Sequence, residues 1–164
     1  MKKILIALEM DATSQRVAET GYILGKTMKA EVNLLHVISN KVYNYSRMEL
    51  SHISGNTNES DSAKSHSDNM DNQTIKVQAF LDESKHQLGD RSIKTLIKEG
   101  NFGDEILNTG KELEADLIVM GAHSQSSFEN TVLGSVAEKV LLKTSIPILI
   151  IPTQKHKVIE VYDY

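Results

Sequence analysis

The chain has no cysteine, which excludes disulfides, thiolate catalysis and zinc–sulfur sites. It also lacks any apolar run near the roughly 20 residues a membrane span needs. Lys2-Lys3 precedes an apolar stretch, Ile4 to Leu8, that is only five residues long and ends at Glu9, too short for a signal peptide. Basic charge is in short supply: 18 Lys and Arg against 22 Asp and Glu leave a net charge of −4, whereas nucleic-acid binders usually carry a basic patch. The expectation is a soluble, cytoplasmic protein with no nucleic-acid or membrane partner. At 164 residues, 40% of them apolar and 24% charged, the chain is long enough to bury the core of one domain.

Short apolar runs alternate with amphipathic stretches. Ile4 to Leu8, Val32 to Val37, Ile93 to Ile97, Leu117 to Met120 and Ile148 to Ile151 read as strands. The two prolines, Pro147 and Pro152, flank the last of these, where proline is tolerated. Four stripes at helical spacing fall between them: Val17, Gly21, Leu24 and Met28; Val77, Phe80, Leu81, Ser84 and Leu88; Ile106, Leu107, Gly110 and Leu113; and Val132, Leu133, Val136, Ala137, Val140 and Leu141. Gly89 stands where the second of these helices would end. The alternation predicts an α/β fold, and runs that are continuous rather than alternating point to a parallel sheet covered on both faces. In such folds ligands sit at the carboxyl ends of strands, where the strand order reverses.

Residues 39–69 break the rhythm. They hold eight serines and five asparagines with no sustained period, and are expected to be a polar insertion whose second half, 54–69, is mobile. Residues 1–153 are then one domain, followed by a tail over 154–164.

The stretch "GAHSQSSFENTVLGS", residues 121–135, leaves the carboxyl end of the fourth strand. Gly134-Ser135 supplies a residue without a side chain and then a hydroxyl donor near a helix start, where unpaired N–H groups favour phosphate. The same glycines would equally serve a tight strand exit and close helix packing.

The run "ADLIVMGAHSQSSFENTVLGSVAEKVLLKTSIPILIIP" resembles the carboxyl-terminal half of the universal stress protein family, whose nucleotide-binding members carry G-x2-G-x9-G-[S/T] here. Gly121 and Gly134-Ser135 match that spacing, and Ser124 replaces the second glycine. "KILIALEMDATSQRVAE" is similar to the family's opening strand and acidic turn, with Glu9 in place of the usual aspartate. "EVNLLHVIS" and "IKEGNFGDEILNTGKELEADLIVMG" extend the likeness over nearly the whole chain outside 39–69 and the tail.

The resemblance implies a Rossmann-like open parallel sheet of order 3-2-1-4-5, helices on both faces, and a homodimer paired through the last strand. It implies a stress-response or signalling module that binds ATP with magnesium, and an unidentified protein partner. Ala7 and Glu9 would line the adenosine pocket and Val37 would offer backbone groups to adenine. Met120, Gly121, Ser124, Gly134, Ser135 and Val136 would surround ribose and phosphates. Ser124 either strains the loop by on the order of 1 kcal/mol, if its φ is positive, or donates its hydroxyl to a phosphate. The other reading is a dimeric interaction protein on the same fold that binds no nucleotide.

Of six histidines, His123 falls inside the loop, where it could offset phosphate charge. His36 reads as a buried or capping residue, and His52, His66, His86 and His156 have no ligand spacing. Asp104 is expected to complement a helix dipole. No nucleophile with an assignable base is evident, so catalysis beyond slow ATP hydrolysis is not expected. A nucleotidyl-transfer signature is missing from "ALEMDATS".

Overall fold

The structure, a computed structural model, describes residues 1–39, 59–122 and 133–153, with the backbone path alone for 59–70. The element order is β1 (Lys3–Ala7), α1 (Ser14–Thr27), β2 (Glu31–Ser39), α2 (Glu59–Leu88), β3 (Lys94–Gly100), α3 (Phe102–Glu112), β4 (Leu117–Gly121), α4 (Ser135–Lys143) and β5 (Ile148–Ile151). The strands form one parallel sheet of order β3-β2-β1-β4-β5, as the resemblance implies.

Side chains alternate across each strand, so every strand feeds two cores. Ile4 and Ile6 of β1 pack with Val17 and Ala18 of α1 and Val77 and Leu81 of α2. Leu5 faces the other way, toward Ile106 and Leu107 of α3 and Ala137 and Val140 of α4. Helices therefore cover both faces. β1 sits centrally, between β2 and β4. The chain leaves β1 toward β2 and β3, then crosses back to β4 on its other side, so the strand order reverses between β1 and β4.

Within the polar stretch 54–69, residues 59–69 belong to α2, a single helix of 30 residues that the sequence pattern does not announce. Residues 71–76 are exposed or half-buried, and Val77 is the first buried side chain of α2 among the described residues. A helix seeded by its packed turns extends cheaply through such a segment. The rest of the insertion, 40–58, and the tail from 154 onward lie outside the described residues. At the other end, Gly89 follows Leu88 at φ +68°, the left-handed stop that glycine accepts without strain. The fourth helix starts at Ser135 rather than Val132, with Leu133 ahead of it.

Candidate functional site

The reversal point opens into a cleft of about 480 Å³, open solvent at its mouth included. Its floor is the carboxyl ends of three strands: Ala7 of β1, Leu35 and Val37 of β2, and Met120 and Gly121 of β4. Phe102 and Ile106 of α3 and Val136 of α4 form an apolar wall. The opposite wall is polar: Glu9 and Asp11 from the β1–α1 turn, then Thr13 and Ser14 at the start of α1.

That turn is built by its own sequence. Asp11 Oδ1 accepts from the Thr13 N–H at 2.8 Å and from the Thr13 hydroxyl at 2.7 Å, while the Ser14 hydroxyl donates to the Asp11 carbonyl at 2.9 Å. Short polar side chains that bond neighbouring backbone in this way favour a turn at a helix start. The chain just before the turn is pinned to β2. The Leu8 N–H donates to the Leu35 carbonyl at 2.8 Å, and His36 Nδ1 lies 2.8 Å from the Leu8 carbonyl. A carbonyl only accepts, so Nδ1 carries the proton. The His36 ring stands edge-on to Phe80, 6.1 Å between centroids, and burial lowers its pKa. His36 is half-buried rather than buried, and its bond to the Leu8 carbonyl holds the strand end that presents Glu9.

Glu9 is half-buried, and among the described residues no donor or cation reaches its carboxylate. Burial first, and the Asp11 charge second, push its pKa up to about 7 from an ordinary 4.5.

On the far side, the Ala122 N–H donates to the Ile151 carbonyl at 2.8 Å and the Gly134 N–H to the Ala122 carbonyl at 2.7 Å. The start of α4 is therefore tied to the end of β4 beside the cleft. Gly134 is the N-cap of α4 and has no side chain to cover the first amides of that helix, which have no intrahelical acceptor. Its φ of −72° and ψ of 157° are open to any residue, so the backbone itself does not call for a glycine here.

Six of the sequence-predicted residues, Ala7, Glu9, Val37, Met120, Gly121 and Val136, converge on this cleft. Gly134 and Ser135 stand at the helix end that delivers Val136, Gly134 buried and Ser135 exposed, but neither is part of the wall. His123 and Ser124 lie outside the described residues. Asp11, Thr13, Ser14, Phe102 and Ile106 were not anticipated. The Asp-x-Thr-Ser spacing before a helical stripe was a readable signal for the first three. The Asp104 N–H donates to the side-chain oxygen of the N-cap Asn101, and the Asp104 carboxylate in the first turn pairs with Lys139 of α4 at 2.7 Å, which ties α3 to α4. Among the described residues no group of three His, Asp or Glu could hold a metal ion, and no helix is long and apolar enough to cross a membrane.

A profile of the universal stress protein family matches residues 1–152. The chain belongs to that family. A universal stress protein of Methanocaldococcus jannaschii is 29% identical over 92% of this chain and 94% of its own length. Its solved structure superposes with a TM-score of 0.71, at 24% identity over 94% and 97% of the two chains. A universal stress protein solved in complex with cAMP has a TM-score of 0.65 at 15% identity, covering 93% of this chain and 98% of that one. Another, from Archaeoglobus fulgidus and in complex with dAMP, has a TM-score of 0.57 at 16% identity, covering 92% and 97%.

Proposed function

We propose that this universal stress protein binds an adenine nucleotide in the cleft between β1 and β4, and that occupancy changes the contacts of a homodimer paired through β5. The observation that carries the reading is the convergence of Ala7, Glu9, Val37, Met120, Gly121 and Val136 at the strand-order reversal, with the uncapped start of α4 beside them. The residues fit the ligand's parts. Phe102, Ile106, Met120 and Val136 offer a dry surface for a flat base, and the polar wall offers partners for ribose hydroxyls. The α4 amides and the Ser135 hydroxyl suit a phosphate oxygen. Adenine nucleotides in two related structures support the choice of base. ATP with magnesium is the form the family resemblance implies, the ion serving to offset phosphate charge.

Calorimetric titration of nucleotide-free protein with ATP and magnesium tests the assignment. Ser135→Ala removes one hydroxyl donor to a charged oxygen, a loss of roughly 1.5–3 kcal/mol, so affinity should fall about ten- to a hundredfold. Gly134→Val places a branched side chain before the α4 amides and should abolish binding, with circular dichroism confirming the fold. Equal heats for native protein and both variants would remove the α4 terminus from the site.

A further inference from the structure

We propose that Lys139 is a positioning residue for the cleft: it clamps α4 to the start of α3 and so holds the apolar wall of Phe102, Ile106 and Val136 at the spacing that receives a flat base. This rests on the adenine-nucleotide reading above and deepens it, by naming what sets the shape of the base-binding part of that site. The wall belongs to two helices. Phe102 and Ile106 come from α3, and Val136 comes from α4. Along their buried faces the two helices are locked by packing, since Ile106, Leu107, Ala137 and Val140 share one core cluster. At the cleft that lock weakens. Phe102 and Val136 are only half-buried, and a side chain that faces an open cleft has no packing partners on that side. Their spacing must then be set by contacts elsewhere on the same two helix ends.

Lys139 supplies such contacts. It follows Val136 by three residues, so the two side chains are neighbours on α4. Its ammonium donates to Asn101 Oδ1 at 2.8 Å and pairs with Asp104 Oδ2 at 2.7 Å. Those two residues bracket Phe102. Asn101 is the N-cap of α3, and its side-chain oxygen also accepts the Asp104 N–H at 3.3 Å. The ammonium is thus seated at a helix start, the end whose dipole disfavours a cation, so Asp104 and Asn101 do the holding. The bond from Lys139 in turn lowers the Asp104 pKa. Gly103 completes the seat. A Cβ there would stand 2.8 Å from Lys139 Cδ and 3.3 Å from Cγ, so the missing side chain lets the lysine stem cross the first turn of α3. Asn101, Gly103 and Asp104 therefore all engage one lysine of α4, with Phe102 among them.

The experiment titrates the full chain, stripped of nucleotide, with adenosine and with AMP, and records urea midpoints for the same proteins. Adenosine carries no charge, so removing the Lys139 charge takes no ion pair from the ligand. The clamp is a partly exposed pair, so Lys139→Met and Asp104→Ala should each weaken adenosine about two- to fivefold. The double variant should lose no more than either single one, because both cut the same contact. Lys139→Arg keeps the charge and should keep the affinity. Gly103→Ala crowds the lysine stem and should weaken adenosine, although alanine is the better helix former. In 1 M salt the native affinity should fall toward that of Lys139→Met. Lys98→Met is the control: it cuts a comparable pair, Lys98–Glu112 at 2.8 Å, at the other end of α3, and should leave adenosine affinity unchanged. If Lys139→Met binds adenosine as tightly as the native protein, the clamp is overturned while nucleotide binding stands. If it weakens AMP but not adenosine, Lys139 meets the phosphate itself, and the positioning role is again overturned. If Lys98→Met costs as much affinity as Lys139→Met, the effect follows general stability and the role fails. If the native protein binds neither adenosine nor AMP, the nucleotide reading itself falls and takes this inference with it.

Discussion

Burial and the neighbouring Asp11 charge hold the Glu9 carboxyl near 7, against 4.5 when free, and this has a consequence for stability that needs no ligand. The folded state binds the Glu9 proton more tightly than the unfolded chain does. Between about 4.5 and 7 the native protein therefore carries more protons, and its stability declines as pH rises through that window. Above 7 the whole penalty is present, up to about 3 kcal/mol. Glu9→Gln should make the protein more stable near pH 8 by as much as that, and leave it unchanged near pH 4. Urea denaturation at the two pH values measures both. A native-like stability for Glu9→Gln near pH 8 would mean that the carboxylate pays no penalty there. The sequence identified Glu9 as a departure from the family's aspartate, but not its titration, which depends on a wall formed by β2, α3 and α4.

At the scale of elements, α1 lies close on the sheet because Gly21 has no side chain. A Cβ there would stand 2.7 Å from Ile6 Cδ1 and 3.2 Å from Val119 Cγ1, both in the core. Gly21→Val should overpack this contact and destabilise the protein by about 1–3 kcal/mol, read as a lower urea midpoint with an unchanged m-value. Wild-type stability would show that α1 can move away at no cost. Gly21 was legible as part of the Val17–Gly21–Leu24–Met28 stripe, since period alone reports which face is buried. The beginning of α2 was not. Residues 59–69 hold a single apolar residue, Ala63, so the sequence leaves no apolar period to read there. The start of α1 was legible in principle from Asp11, Thr13 and Ser14, whose mutual bonds are local. Phe102 and Ile106 reach the cleft only because α3 folds back over β2, a long-range event that local sequence does not announce.

For the whole molecule, alternating strands and stripes disclosed the sheet, but its order came from the family likeness, because periodicity does not say which strands are neighbours. Among the described residues β5 is an edge strand that pairs only with β4, and it reads Ile-Leu-Ile-Ile. Before it, Leu142 is 77% exposed on α4 and Leu141 46%. An apolar edge of this kind is normally covered. The proposed homodimer should therefore appear in light scattering at about twice 18.3 kDa at micromolar concentration. A monomer there would leave the β5 edge to some other partner. The central claim, that an adenine nucleotide occupies the cleft at the strand reversal, is tested most directly by amide chemical shifts. On addition of excess AMP, or of ATP with magnesium, to nucleotide-free labelled protein, the largest changes should cluster at Ala7, Glu9, Val37, Met120, Gly121 and residues 134–136. Changes confined to the β5 edge or to α2, or none at saturating nucleotide, would contradict it.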